Sequence, residues 1–376
     1  MKIYLDNAAT TPLDPDVYAA MQPYLKEGFG NPSSTHSFGR ESKSAIETAR
    51  KKVATLLNAT PAEIFFTSGG TEADNTTLTG LIRRYSIQHV ITLPIEHHAV
   101  LHPLEYLEST GMIKIRFLDV DQEGNFDMDQ MVKLLKSNKN VLVSLMHANN
   151  EIGNLINLEE IGAVCKEYNA LFHSDTVQTI GRYFFDLKKT PLNAILGSAH
   201  KFHGPKGIGF MYVNSKTKIP PYILGGGQER EMRAGTENVY GIVGLARAME
   251  IAYDQYETNR KHIERLKLKM IDGLKKIIPG VQFNGRSGDI NNSLYSVLST
   301  SLPSSEKNEM ILFQLDLNGI AASGGSACGS GAQKGSHVIN ALKADPERTT
   351  IRFSFSKFNT ADEIDYTLSK LKDILN

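Results

Sequence analysis

Residues 63–81 read EIFFTSGGTEADNTTLTGL, and this stretch decides the fold class of the chain. Its first five residues, 63–67, form a short and mostly apolar run, which predicts a strand. A turn with two glycines follows, and residues 73–81 continue as a helical pattern. A strand that passes directly into a helix is the unit from which parallel sheets covered by helices are built.

The same alternation extends on both sides of this unit. Before it, residues 43–57 place apolar side chains three and four positions apart, which predicts an amphipathic helix. After it, helical patterns lie between most of four further predicted strands, at residues 89–93, 113–117, 141–146 and 171–174. We therefore expect an α/β fold with a mainly parallel, mixed sheet that binds its ligands at the carboxyl ends of the strands.

The pattern changes in the last third of the chain. From about residue 237 one apolar helical stripe continues into the charged run 257–269, which predicts a single long helix that leaves the first domain. Short predicted strands follow at residues 292–297 and 350–355, and a final helix begins at Thr360. These elements predict a smaller α+β domain.

Length and charge limit the domain organisation and the partners. A chain of 376 residues is expected to form about two or three domains. We expect a large α/β domain at residues 15–256 and a small one at residues 257–376 together with 1–14. The 41 basic residues balance 41 acidic ones, so no net charge attracts the chain to nucleic acid or to anionic membranes. No secretory signal or membrane-spanning run is recognised, and we expect a cytoplasmic protein.

The glycine turn at residues 67–72 is the first candidate site. Its two glycines allow a ligand to approach the backbone, and free amides at the start of a helix attract anions, which predicts a phosphate-binding turn. A purely structural turn, in which Ser68 or Thr71 caps the helix, stays open as an alternative. The residues match neither the Walker loop nor the dinucleotide fingerprint, which argues against nucleotide binding.

A second candidate lies in the hairpin predicted for residues 195–213, ILGSAHKFHGPKGIGFMYV. Most lysines are solvated surface groups, but desolvation between apolar strands makes a lysine an amine nucleophile that can form a Schiff base. Lys201 is the better candidate because it lies nearer the strand end than Lys206. At the end of the preceding strand, Asp175 either caps a helix or faces a cofactor cation, with Gln178 one turn further on as a hydrogen-bond donor.

The two cysteines differ in their surroundings. Cys165 falls within a helical pattern and is expected to be a small buried apolar residue. Cys328 lies in SGGSACGSG, residues 323–331, where seven of nine residues are glycine or serine and a mobile loop is expected. An exposed thiol on such a loop suits a nucleophile that must travel.

Two histidine clusters give a weaker signal for a metal. His97, His98 and His102 form one cluster, and His200 with His203 forms the other, at spacings that zinc accepts. Neither is accompanied by an HExxH helix or by paired cysteines, so we expect no metal site. Two cysteines are also fewer than the four thiolates of an iron–sulfur cluster.

Taken in chain order, the motifs resemble those of pyridoxal-phosphate (PLP) enzymes of fold type I, the aspartate aminotransferase fold. The glycine turn, the Asp-x-x-Gln segment and the Ser-x-His-Lys segment carry this resemblance. Further motifs are similar to those of the NifS/IscS-type cysteine desulfurases, a group of class V aminotransferases. They are LDNAATTP (5–12), FGNPSSTHSFGR (29–40), EHHAV (96–100), HANNEIG (147–153), GGGQER and RAGTEN (within 225–238), SGGSACGSG (323–331) and IRFSFSKFNT (351–360).

The resemblance implies a role for each residue around the cofactor ring. Lys201 would bind PLP covalently as a Schiff base, and Asp175 would pair with the pyridine nitrogen. Gln178 would hydrogen-bond the phenolic oxygen. His97 would stack on the ring and assist proton transfer.

It also implies how the rest of the cofactor and the substrate are held. The phosphate would be bound by Gly70, Thr71, Ser198 and His200, and by Thr236 contributed across a homodimer. Asn150 would contact the cofactor and, with Arg352, orient the substrate carboxylate through a planar guanidinium fork. The implied reaction converts L-cysteine to L-alanine and leaves a persulfide on Cys328, for delivery to an iron–sulfur scaffold protein or another sulfur acceptor.

Two other classes of function stay open. One is a related enzyme that keeps the lysine chemistry, such as a selenocysteine lyase, a cysteine-sulfinate desulfinase or an aminotransferase, none of which needs an attacking thiol. The other is a non-enzymatic scaffold, which a colourless protein would indicate. Departures from the family pattern at Ala199, Ser174, Lys334 and Gly335 touch none of the implied roles.

Overall fold

The computed structural model describes residues 2–305, 308, 310–324 and 335–375. Helices α1 to α11 are Pro15–Lys26, Ser37–Leu56, Gly70–Arg84, His98–Ser109, Met128–Ser137, Leu158–Glu167, Val239–Asp254, Tyr256–Ile277, Ile311–Leu317, His337–Ala341 and Ala361–Leu375. Strands β1 to β13 are Ile3–Tyr4, Ile64–Thr67, His89–Thr92, Lys114–Phe117, Val141–Ser144, Leu171–Asp175, Ala194–Ser198, Gly209–Val213, Gln282–Phe283, Val297–Leu302, Ile320–Ala321, Ser323–Gly324 and Thr349–Ser354.

A seven-stranded sheet forms the centre of the molecule, in the order β2-β8-β7-β6-β5-β3-β4. Strand β8 is antiparallel to both of its neighbours, and the remaining pairs are parallel. All residues of β2, β5, β7 and β8 are buried, as expected for strands covered on both faces. The predicted α/β fold with a mainly parallel, mixed sheet is therefore confirmed.

The predicted long helix from about residue 237 is wrong in one respect, because it is two helices. Helix α7 ends at Asp254 and α8 begins at Tyr256, with Gln255 between them outside helical geometry. The apolar stripe continues across the break, but α7 packs in the core of the central sheet and α8 in a second core. The break at Gln255 lies between the parts that pack in the two cores, which a stripe read from sequence does not show.

The strand predicted at residues 292–297 is also wrong. Within that segment Ser293 forms a single bridge with Asn154, and the strand β10 starts only at Val297 and runs to Leu302. Its six residues pair with all six of β13, so the cross-strand partner rather than the local pattern sets where it begins.

A second core lies under the antiparallel sheet β12-β13-β10-β9. Helices α8, α9 and α11 supply nine of the nineteen buried apolar side chains described in it, and Ile3 and Leu5 join them from the N-terminus. The domain boundaries at residues 15 and 256 stay a prediction. From Leu5 the chain continues to the central sheet, where Thr11 N donates to His200 O and Asp14 N to His203 O.

No helix in the described ranges combines the length and the apolar character that crossing a membrane requires.

Candidate active site

The candidate residues gather at one edge of the central sheet. Strand β6 ends at Asp175 and β7 ends at Ser198, where a short 3-10 helix, Ala199–Lys201, follows. Strand β2 ends at Thr67, and α3 starts three residues later. Because β2, β6 and β7 run in the same direction, their carboxyl ends meet.

Lys201 reaches from the end of β7 to the N-terminal segment. Its Nζ donates to the carbonyl oxygens of Ala8 and Ala9, both at 2.7 Å. Gln178 Nε2 donates to the same Ala8 oxygen at 3.0 Å. The predicted hairpin is confirmed, since β7 and β8 pair antiparallel, and Lys206 is exposed at its turn.

Asp175 is a buried carboxyl group facing this lysine region. Burial raises its pKa, and His97, a hydrogen bond from Val177 N and Lys201 act in the opposite direction. The alternative that Asp175 caps a helix is wrong, because residues 176–193, all of them described, form turns rather than a helix. A buried carboxyl group at a strand end is suited to pair with a cationic ring nitrogen.

His97 caps the start of α4. Its Nδ1 accepts a hydrogen bond from Ala99 N at 3.1 Å, so the neutral ring carries its proton on Nε2. Burial lowers the His97 pKa, and Lys201 lowers it further, whereas Asp175 raises it. The site therefore holds an uncharged imidazole at neutral pH.

A second layer of buried polar groups supports this edge. His173 Nε2 lies 3.4 Å from Asp74 Oδ1, and His173 Nδ1 lies 3.0 Å from Ser144 Oγ. Burial lowers the pKa of His173 to about 3, so its ring is neutral, and burial raises the pKa of Asp74 well above its usual range. Sequence reasoning did not identify this pair. The signal was a charged residue inside the apolar pattern of α3.

The glycine turn offers free amides. Helix α3 begins at Gly70 without a side-chain cap, so the alternative in which Ser68 or Thr71 caps it is wrong. A Cβ on Gly70 would lie 2.8 Å from Val177 Cγ2 and 3.8 Å from Ser198 Cβ, which shows that Ser198 stands beside the helix start. An uncapped helix start next to a serine hydroxyl fits an anion.

Two other residues of the predicted phosphate site, His200 and Thr236, make contacts of their own. His200 Nδ1 contacts Thr10 Oγ1 at 3.1 Å, and burial, aided by Lys201, lowers the His200 pKa to about 4. Thr236 lines a cavity together with Ser68 and Arg233 of the same chain. Its contribution to the site of a partner subunit stays a prediction.

Arg352 and Asn150 touch each other. Arg352 Nη1 donates to Asn150 O at 3.0 Å, and Nη2 donates to Asp6 Oδ1 at 2.9 Å. Arg352 is 5% exposed, and no described residue accepts a hydrogen bond from its buried Nε. The guanidinium is thus oriented by two groups and keeps a donor for a further acceptor such as a carboxylate. Asp6 was not among the predicted residues.

The prediction for one of the two cysteines, Cys165, is confirmed. Cys165 is buried in α6, and burial raises its pKa to about 12, which makes it a poor nucleophile. Cys328 lies outside the described residues, and its role stays a prediction.

Comparisons with known proteins match this arrangement. The family model of class V aminotransferases covers residues 3–367. The chain belongs to the cysteine desulfurases of this family. The cysteine desulfurase IscS of Dictyoglomus turgidum is 43% identical over 100% of this chain and 94% of its own length. This family membership confirms the resemblance seen in the motifs.

Solved structures of other proteins agree with the assignment of this desulfurase. A NifS-like protein superposes with a TM-score of 0.91 at 39% identity, covering 100% of this chain and 99% of that one. SspA, solved in complex with cysteine, gives a TM-score of 0.82 at 30% identity, covering 96% of this chain and 100% of that one. Fold type I is thereby established for the whole of the matched chain.

Proposed function

We propose that this desulfurase binds PLP at Lys201, converts L-cysteine to L-alanine and transfers the sulfur to Cys328. The observation that carries the proposal is the convergence of Lys201 and Gln178 on the Ala8 carbonyl, beside the buried Asp175. An amine, an amide and a buried carboxyl group at one sheet edge are the groups that a pyridine aldehyde cofactor requires.

The residues present fit the cofactor at both of its ends. The uncapped start of α3 at Gly70 and Thr71, with Ser198 beside it, would hold the phosphate. Asp175 would hold the protonated ring nitrogen, which would compensate the burial that now raises the pKa of this carboxyl group. When bound, PLP draws electrons from the substrate Cα and so makes its proton and the neighbouring bonds labile.

The substrate carboxylate would be bound by Arg352. Its Nη1 and Nη2 are held by Asn150 O and Asp6, which fixes the plane of the guanidinium. Its buried Nε has no acceptor among the described residues, and this donor would be left for the substrate carboxylate. Anchoring the carboxylate fixes the orientation of Cα relative to Lys201 Nζ, the group that would remove the Cα proton.

Sulfur transfer needs a second nucleophile, and Cys328 is the available one. Its thiolate would attack the substrate sulfur, forming an S–S bond as the substrate Cβ–S bond breaks. The Cβ atom takes a proton and alanine leaves. One cysteine and one enzyme thiol thus become one alanine and one enzyme persulfide, with no external oxidant. Cys165 does not suit this role, because its thiol is buried and its pKa is about 12.

The persulfide would pass to a sulfur acceptor such as an iron–sulfur scaffold protein, and Thr236 would complete the phosphate site across a homodimer. Both statements rest on the family resemblance alone.

The test is formation of alanine and sulfide from L-cysteine in the presence of PLP and a thiol reductant. We expect equimolar products from the wild type and from Cys165→Ala, the matched control. Cys328→Ala should keep the bound cofactor and lose turnover. Undiminished sulfide release by Cys328→Ala would contradict the proposed nucleophile.

A further inference from the structure

Arg182 lies behind the candidate site and connects two of its segments. Its side chain donates from Nη1 to Gln178 O at 2.9 Å and from Nη2 to Lys201 O at 2.8 Å. Gln178 follows β6, whereas Lys201 follows β7, so a single planar group spans two loops that approach the site from different strands. The fixed fork of a guanidinium is suited to hold two acceptors at a set separation.

The electrostatic setting of Arg182 is unusual for a buried cation. The residue is 7% exposed. Burial lowers its pKa, and the groups that oppose this effect are Tyr295 and Tyr183 rather than a carboxylate. Burying a guanidinium is unfavourable unless its donors are satisfied. An apolar side chain would fill this space without the desolvation penalty of a buried charge. We therefore attribute the presence of a guanidinium here to its hydrogen bonds with the two carbonyls.

The backbone next to Arg182 is built for this close approach. Gly181 has a φ of +76°, and a Cβ at that position would lie 2.9 Å from Phe202 Cβ and 3.2 Å from Ala252 Cβ. The glycine therefore lets the turn after β6 press against the residue that follows Lys201. As a result, the Arg182 guanidinium lies within hydrogen-bond distance of the Lys201 carbonyl oxygen.

We propose that Arg182 is a positioning residue that fixes the Gln178 and Lys201 backbones relative to each other. The two side chains meet again at the Ala8 oxygen, where Lys201 Nζ lies at 2.7 Å and Gln178 Nε2 at 3.0 Å. Each residue is thus held at both ends, by Arg182 at its carbonyl and by Ala8 at its tip. The inference rests on the proposed function, because the contacts of Arg182 would serve to align Lys201 with PLP.

The test compares Arg182→Met with Arg348→Met. Arg348 is the control because it also donates to two backbone carbonyls, those of Gly280 and Ser301, but at a half-buried position away from the candidate site. The first readout is the rate at which PLP added to the apoprotein develops the visible band of its lysine adduct. The second is the separate measurement of kcat and KM for L-cysteine.

For Arg182→Met we expect band development at least about tenfold slower and kcat about a hundredfold lower, because small misplacements of a reacting group reduce rates by this order. KM should stay within about twofold, since the Arg352 contacts are untouched. Arg348→Met should lower the midpoint of thermal unfolding and leave both readouts unchanged.

Arg182→Met with a lower unfolding midpoint but wild-type band development and kcat would overturn the inference. Should this variant fail to fold, Arg182→Lys carries the test. It keeps the charge, but its ammonium lacks the planar, rigid fork that sets the separation between the two carbonyls. Slower band development is expected for it, and a wild-type rate would overturn the inference. A wild type that forms the adduct but yields no alanine would contradict the proposed function, whereas the band comparison would still decide the role of Arg182.

Discussion

Replacing His173 by Gln is expected to change how the stability of the protein depends on pH. The His173 ring is fully buried between Ser144 Oγ, 3.0 Å from its Nδ1, and Asp74 Oδ1, 3.4 Å from its Nε2. Burial lowers its pKa from 6.5 to about 3. The glutamine amide occupies similar space and hydrogen-bonds, but it does not titrate.

The sign and size of the effect follow from proton linkage. Between the unfolded pKa of about 6.5 and the folded value of about 3, the unfolded chain binds a proton at His173 that the folded protein does not. Acid therefore favours unfolding, and the stability linked to His173 is lost as the pH falls below about 6.5. A pH of about 5 lies roughly 1.5 units below the unfolded pKa of His173. The free energy of unfolding linked to His173 is therefore about 2 kcal/mol lower there than at neutral pH.

The assay is urea unfolding of wild type and His173→Gln at about pH 7 and about pH 5. Asp74 and Glu96 have raised pKa values and contribute with the opposite sign, but they are present in both proteins. We expect the loss of unfolding free energy between the two pH values to be about 2 kcal/mol smaller for the variant. His102→Gln, which alters an exposed histidine on α4, should behave as wild type. An equal loss in wild type and His173→Gln would refute a neutral, buried His173.

Two further predictions concern the proposed cofactor and substrate contacts. Lys201→Ala should fold and bind PLP without forming a covalent adduct, because the groups at the start of α3 and Asp175 remain; borohydride treatment that still fixed PLP to this variant would contradict the assignment. Arg352→Lys should raise KM for L-cysteine by about tenfold or more, with a smaller effect on kcat, since an ammonium cannot reproduce the oriented fork. An unchanged KM would show that Arg352 does not bind the carboxylate.

The central sheet could be predicted because its signals are local. Each strand and helix shows its period within about ten residues, as in residues 63–81, and the hairpin at 195–213 placed Lys201 at a strand end. The order of the elements then brought Lys201 and Asp175 to the same edge. The errors occurred at Gln255 and at the start of β10, where contacts between residues distant in sequence determine the bounds of the helix or strand.

The contacts that complete the site are not local. Arg352 meets Asn150 across 202 positions and Asp6 across 346. Only the resemblance to cysteine desulfurases gave Arg352 and His97 their roles in the site. Arg182 carried no motif at all, because its significance depends on two carbonyl groups that only the fold brings together.

The central claim is tested most directly by one turnover of the reconstituted enzyme with L-cysteine and no reductant, followed by mass spectrometry of the intact protein and its peptides. The account predicts a gain of one sulfur atom, located on the peptide that contains Cys328, with one alanine released per modified chain. Alanine without a gain in mass, or sulfur on Cys165 instead, would contradict it.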